Sequence, residues 1–191
     1  MFNEKSVSTD IVSAGLITRP GANSTARAGG VFHVQCLDKD GNLKWETKEP
    51  NLVVNQGLQS MNTQYFKGSS YTAAFYLGLI TGPSSGTSFA ATDTLSTVTW
   101  TEFTNYSGSR KAVVFGTATT ADPSVISNSA SPASFTISSS GGVVAGAFLC
   151  TVSSGTSGTL FSESDFQSPG DRTVASGDTL NVTYTFSLDA V

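Results

Sequence analysis

The sequence predicts an all-β fold, an antiparallel β-sandwich or jelly-roll-like domain of about eight strands with one short helix and an extended N-terminal arm. Three observations predict it. Only 13% of the 191 residues are charged, against about 25% in ordinary soluble proteins. Ser, Thr and 19 Gly stand in their place. Hydroxyl side chains compete for backbone hydrogen bonds and Gly carries a large entropy cost, so both disfavour helices and suit strands joined by tight turns. Short apolar runs alternate with polar residues at a period of two between turn-forming clusters. Finally, no amphipathic helix recurs between the strands, which argues against a parallel α/β architecture.

Residues 1–30 form the arm. They hold few large apolar groups and end in Arg19-Pro20-Gly21-Ala22-Asn23-Ser24-Thr25-Ala26-Arg27-Ala28-Gly29-Gly30, which has neither strand nor helix period. The arm has two readings, a terminus without fixed structure or a segment that orders on a neighbouring subunit. The β-domain occupies residues 31–191. It opens at Val31, where Phe32, Val34 and Cys36 alternate with His33 and Gln35. Asp38-Lys39-Asp40-Gly41-Asn42 supplies Asp-Gly turn chemistry, and Leu43-Lys44-Trp45-Glu46-Thr47-Lys48 returns as the second half of a hairpin that Pro50 ends.

Leu58, Met61, Tyr65 and Phe66 fall at helical spacing and predict a helix over 56–66 whose apolar stripe covers the end of a sheet. Residues 71–80 are apolar on both parities, as in a central strand with neither face fully wet. After a Gly-, Ser- and Thr-rich loop come strands at 97–103, 111–118, 134–138, 143–152 and 179–188. The last alternates most cleanly, with Leu180, Val182, Tyr184, Phe186 and Leu188 on one face and Thr and Asn hydroxyl and amide groups on the other. There is no repeat of fixed period, but Asp-Thr-Leu occurs twice, at 93–95 and 178–180.

The charge balance of -4 and pI near 4.8 provide no field to steer a polyanion, so nucleic acid is not an expected partner. No apolar run has the length of a membrane helix, and Met1-Phe2-Asn3-Glu4-Lys5 lacks the basic-then-apolar order of a signal peptide. A membrane partner is therefore not expected, and the product stays in the cytoplasm where it is made unless it is built into something released by lysis. Cys36 and Cys150 are widely separated and lack metal-type spacing. They read as core thiols, with a disulfide open if adjacent strands bring them together.

Chemistry finds little to use. His33, the one histidine, sits on the outward parity of a strand. Gly82-Pro83-Ser84-Ser85-Gly86 matches a nucleophile elbow in letters, but no helix pattern follows and the histidine lies upstream. Asp38–Asn42 is superficially like a calcium loop, yet its glycine comes one position too early and Glu46 is too close. Asp93, Glu102, Glu163, Asp165, Asp171 and Asp178 are mostly single and flanked by turn residues. The expectation is a chain that is not an enzyme, with no catalytic, cofactor-binding or metal-binding residues and no cofactor. Trp45, Trp100, Phe103 and Tyr106 serve either as core or as a contact surface. The candidate interface residues are Arg19 and Arg27 of the arm together with Trp45 and Tyr106.

The run Leu37-Asp38-Lys39-Asp40-Gly41-Asn42-Leu43-Lys44-Trp45-Glu46, then Asn51-Leu52-Val53-Val54-Asn55-Gln56-Gly57-Leu58, then Tyr71-Thr72-Ala73-Ala74-Phe75-Tyr76-Leu77-Gly78-Leu79-Ile80, resembles the opening half of a tailed-bacteriophage virion protein family. Trp100-Thr101-Glu102-Phe103, Asn105-Tyr106-Ser107-Gly108-Ser109-Arg110-Lys111, Gly146-Ala147-Phe148-Leu149 and Ser176-Gly177-Asp178-Thr179-Leu180-Asn181-Val182-Thr183-Tyr184 resemble its second half. The resemblance implies a small β-rich structural protein of the phage head, neck or tail and brings no catalytic residues with it. The leading expectation is a capsid decoration, or cement, protein that lies on the capsid surface of the virion and binds the major capsid protein. Such proteins are commonly homotrimers. A tail, neck or fibre-associated component is the alternative, and a carbohydrate-binding module using Tyr106, Trp100 or Trp45 is the third reading.

Overall fold

In a computed structural model of the chain, the described residues are 25–68, 73–83, 88–138, 140–167 and 170–190. They form, in order, β1 (Ala26–Leu37), β2 (Leu43–Pro50), β3 (Leu52–Val53), α1 (Asn55–Lys67), β4 (Tyr76–Thr81), β5 (Glu102–Phe103), β6 (Lys111–Ala112), β7 (Ser124–Ser127), β8 (Ala133–Thr136), β9 (Gly142–Cys150), β10 (Leu160–Asp165), β11 (Arg172–Val174) and β12 (Thr179–Ala190). The all-β expectation holds as two antiparallel sheets and one helix. The first is five-stranded, in the order β2-β1-β12-β7 with β8 also on β12; the second is seven-stranded, in the order β3-β10-β9-β4-β5 with β11 on β9 and β6 on β4.

The β1–β2 hairpin forms where its turn chemistry places it. Asp38 Oδ1 accepts hydrogen bonds from the backbone N–H groups of Asp40 and Asn42 at 2.9 and 2.8 Å. Gly41 takes φ +86°, a left-handed conformation that an L side chain disfavours. The carboxylate that could have led a cation loop is thus committed to its own turn.

Several expectations are corrected. The strand expected from Val31 begins at Ala26, so residues 26–30 belong to β1 rather than to an arm. They pair with the far end of β12, from Ala26 with Ala190 to Gly30 with Phe186. Backbone pairing sets their conformation, and the small side chains of Ala28, Gly29 and Gly30 leave no apolar period to read. At Gly30 a Cβ would lie 2.6 Å from the Thr185 carbonyl oxygen, so the chains approach more closely there than a side chain allows. Residues 1–24 lie outside the described residues.

The strand expected over 97–103 shrinks to Glu102–Phe103, because Thr97 N–H and Val98 N–H turn back onto the Thr94 carbonyl. That over 111–118 shrinks to Lys111–Ala112. The central strand begins at Tyr76, and the residues 71–72 expected within it are not described. The strands β3, β7, β10 and β11 were not expected. β10 carries Ser162, Glu163 and Ser164 in its middle, so its apolar alternation is broken although all three are buried.

The core explains which strands read as doubly apolar. One cluster draws on both sheets, joining Phe32, Val34, Leu180 and Val182 to Leu77, Leu79 and Leu149. A second covers the opposite face of the larger sheet, where Ile80, Phe148 and Cys150 lie under Leu95 and Trp100. With both faces of β4 and β9 covered, neither parity can be polar. β12 behaves as its alternation requires over Leu180, Val182 and Tyr184, all fully buried, and then emerges until Leu188 is 39% exposed.

Candidate functional site

The expected interface residues separate on inspection. Arg19 lies outside the described residues. Arg27 is exposed on β1, in register with Asp189 of β12. Trp45 is half-buried on β2, with its ring edge-on to Phe166 at 6.2 Å and the Arg172 guanidinium 5.5 Å from its centroid. Tyr106 does not offer its ring to a partner: it is 6% exposed and packs edge-on against Phe135 at 4.8 Å. Its isolated bridge to Ile137 draws it into the core, and burial pushes its phenol pKa well up. Trp100 is also buried, so two of the three rings expected for a sugar platform are core.

The groups with reactive potential are held in structural bonds. His33 Nε2 and Gln35 Nε2 both meet Glu46 Oε2 across the β1–β2 hairpin, at 3.1 and 3.2 Å. These bonds hold the Glu46 carboxyl below the usual range. Cys36 and Cys150 are buried free thiols, in agreement with the core reading. Burial, with the Asp178 charge next in importance, pushes Cys36 up to about 11, far from the thiolate that nucleophilic chemistry uses. Ser84, Ser85 and Gly86 of the elbow-like string lie outside the described residues. Among the described residues no three His, Cys, Asp or Glu side chains gather as a metal site would require.

The arrangement missed in the sequence is a buried carboxyl pair. Glu163, on β10, is fully buried, and its Oε2 accepts the Trp100 indole N–H at 2.7 Å. Asp93, 8% exposed, lies close enough to act on it. Desolvation is the main cause that raises the Glu163 pKa to about 7, and the Asp93 carboxylate raises it further against the lowering effect of the Trp100 bond. Glu163 therefore holds a proton through much of the acidic and neutral range. The pair is 70 positions apart in sequence (163 less 93), and only the packing of the 88–100 segment over the larger sheet unites it.

Asp93 is itself one half of a repeated device. Ala90 N–H donates to Asp93 Oδ2 at 2.9 Å, and Asp93 N–H returns to the Ala90 carbonyl at 2.9 Å. Ala175 and Asp178 make the same two bonds, at 2.8 and 3.1 Å. The duplicated Asp-Thr-Leu string was the visible trace of this turn, with Leu95 and Leu180 inserting into the core after each copy.

Two surfaces remain. The outward face of the smaller sheet presents His33 and Gln35 of β1 beside Asn181, Thr183, Thr185 and Ser187 of β12, all partly exposed. The second surface is an apolar groove of about 620 Å³ beside α1. The helical stripe expected to cover a sheet is instead largely uncovered: Leu58, Tyr65 and Phe66 are 40, 84 and 76% exposed, while Gly57 is the residue that seats the helix on Phe161 of β10. Comparison of the chain with protein-family models, curated proteins and solved structures finds no match.

Proposed function

We propose that this chain is a non-enzymatic structural component of a tailed-phage virion, a decoration protein that binds the assembled head through the outward face of its smaller sheet. In this reading the two sheets, which share one core, are the layers of a β-sandwich. The observation that carries the reading is that outward face. Five hydrogen-bonded strands hold it; short hydroxyl and amide side chains of β12 line its middle, and Glu46 and Lys48 of β2 stand at its edge opposite Gln35 and His33. The β12 side chains Asn181, Thr183, Thr185 and Ser187 lose little rotamer freedom on docking, and this uncharged strip loses little hydration. The resemblance to phage virion proteins supplies the partner, the major capsid protein, and the homotrimeric state that accompanies this role.

The buried aromatic rings favour this reading over a sugar platform, since Tyr106 and Trp100 do not reach the surface. Mixing the purified chain with empty shells and pelleting them tests it. Co-sedimentation near the stoichiometry of the shell sites is expected, and its reduction at least tenfold by Thr183→Lys would locate the contact. Failure to pellet removes the decoration role, and six, twelve or eighteen copies per particle instead of hundreds would assign the chain to a tail, neck or fibre position.

A further inference from the structure

The groove beside α1 is a built apolar surface with a defined neighbour. Met61, Tyr65 and Phe66 of the helix line it together with Phe75, Phe161 and Leu188. Tyr65 and Phe66 stand edge to face at 4.9 Å, the most exposed large apolar residues of the described chain. Two adjacent aromatics so exposed at the mouth of a groove are unusual for surface that stays in water. Ala26, the first residue of β1, also lines the groove. The 24 residues that precede Thr25 are therefore tethered at its edge.

Those residues contain one apolar segment, Ile11-Val12-Ser13-Ala14-Gly15-Leu16-Ile17. Eight residues, 18–25, separate it from Ala26. At about 3.3 Å per extended residue they reach roughly 26 Å, and Pro20-Gly21 provides chemistry for reversing direction. Charge agrees with this path. A shallower cleft shares Ala26 and Leu188 with the groove and carries Asp122 and Asp189, while Arg19 is the one cation between Ile17 and Ala26.

We infer that the groove is the seat of the chain's own residues 11–17, with Ile11, Val12, Leu16 and Ile17 covering Tyr65, Phe66 and Leu188. The segment from the same molecule fills it in preference to that of a second copy, because a tether this short gives a millimolar effective concentration that free protein does not match. The inference is independent of the proposed role in a virion. It assigns the head of the chain to its own domain rather than to a neighbour.

Amide hydrogen exchange on the full chain tests it. Residues 11–17 should exchange at least tenfold more slowly than the rate of an unstructured peptide. The double substitution Tyr65→Asp with Phe66→Asp should restore that rate while leaving the protection of β9 and β12 unchanged, which shows that the variant folds. A photo-reactive benzoylphenylalanine in place of Phe66 should cross-link to the peptide holding 11–17, and in an equal mixture of isotopically light and heavy protein only within like-labelled chains. Unprotected amides, protection that survives the double substitution, or cross-links between light and heavy chains would each overturn the inference, the last by showing that a second copy supplies the segment.

Discussion

Asp93 and Asp178 close the same turn at two places in the molecule and differ in what neutralises them. Each accepts a backbone N–H from the alanine three residues upstream, at 2.9 and 2.8 Å, and each is buried. Asp178 also receives the Lys44 ammonium at 2.5 Å. Asp93 has Glu163 in that place. The Lys44 ammonium answers Asp178 with charge, whereas Asp93 is relieved only while Glu163 carries a proton.

That contrast fixes a pH dependence. The folded Glu163 pKa is raised, from 4.5 to about 7, so between these values the folded chain binds more protons than the unfolded one. Stability contributed by the group is then complete below about 4.5 and is lost as pH rises through 7. The shift corresponds to about 3 kcal/mol as an order of magnitude. Glu163→Gln keeps an acceptor for Trp100 and offers Asp93 a donor that does not titrate. Urea unfolding at pH 5 and pH 8 should show the parent losing stability across the interval and the variant gaining on it by roughly 1–3 kcal/mol at pH 8. Parallel curves for the two proteins would refute the assignment.

Arg110 pins the segment after β5 to the covered face of the larger sheet. Its Nε and Nη2 donate to the two Glu102 oxygens at 2.9 and 2.8 Å, Nη1 donates to the Val152 carbonyl at 3.2 Å, and the guanidinium lies 5.1 Å from the Phe148 ring centroid. An ammonium cannot reproduce this fork. Arg110→Lys should cost about 2 kcal/mol and Arg110→Ala about 3 kcal/mol, since Glu102 keeps part of its hydration and moderates the loss of its partner. Chemical denaturation of the three proteins measures both.

Gly57→Ala sets two opposed effects against each other. Alanine gains about 1 kcal/mol of helix propensity over glycine. Its Cβ, however, would lie 2.4 Å from the Phe161 carbonyl oxygen, a backbone atom that cannot swing aside. Overpacking of this kind costs about 1–3 kcal/mol or more, so a net loss near 2 kcal/mol is expected. Gln59→Ala, on the exposed side of the same helix, should stay within about 0.5 kcal/mol of the parent. A neutral or stabilising Gly57→Ala would show that α1 does not seat on β10 through this residue.

The sequence made some of this legible and concealed the rest for physical reasons. Alternation was reliable where one sheet face is buried and the other wet, as from Phe32 to Cys36 and from Leu180 to Tyr184. It failed in β10, where covering both faces let Ser162, Glu163 and Ser164 be buried together, and in Ala26–Gly30, where pairing is backbone alone. The hairpin turn was readable because Asp38 and Gly41 act locally. Trp100 with Glu163 was not, since partners 63 residues apart meet through tertiary packing. Tyr106 beside a Gly-Ser turn looked external for a similar reason: its local context is polar and the ring that receives it, Phe135, is remote.

Asn128 repairs a gap in the smaller sheet with its side chain. β12 pairs with β8 over Thr179–Val182 and with β7 over Thr185–Leu188, leaving Thr183 and Tyr184 between the two partners. There the fully buried Asn128 takes the place of a strand. Its Oδ1 accepts the Tyr184 N–H at 2.6 Å, its Nδ2 donates to the Val182 carbonyl at 3.2 Å, and its own N–H donates to the Tyr184 carbonyl at 3.3 Å. Asn128→Ala removes the first two bonds and leaves both backbone groups buried without partners, so a loss of about 2–3 kcal/mol is expected, together with faster exchange of the Tyr184 amide. Asn128→Asp is the sharper test. The carboxylate retains the acceptor for Tyr184 but turns a negative oxygen toward the Val182 carbonyl, and burial raises its pKa, so this variant should be weakest at neutral pH and recover as acid restores a donor. Equal destabilisation of the Asp variant at pH 4 and pH 7, relative to the parent, would mean that the donor half of the amide contributes nothing to the join.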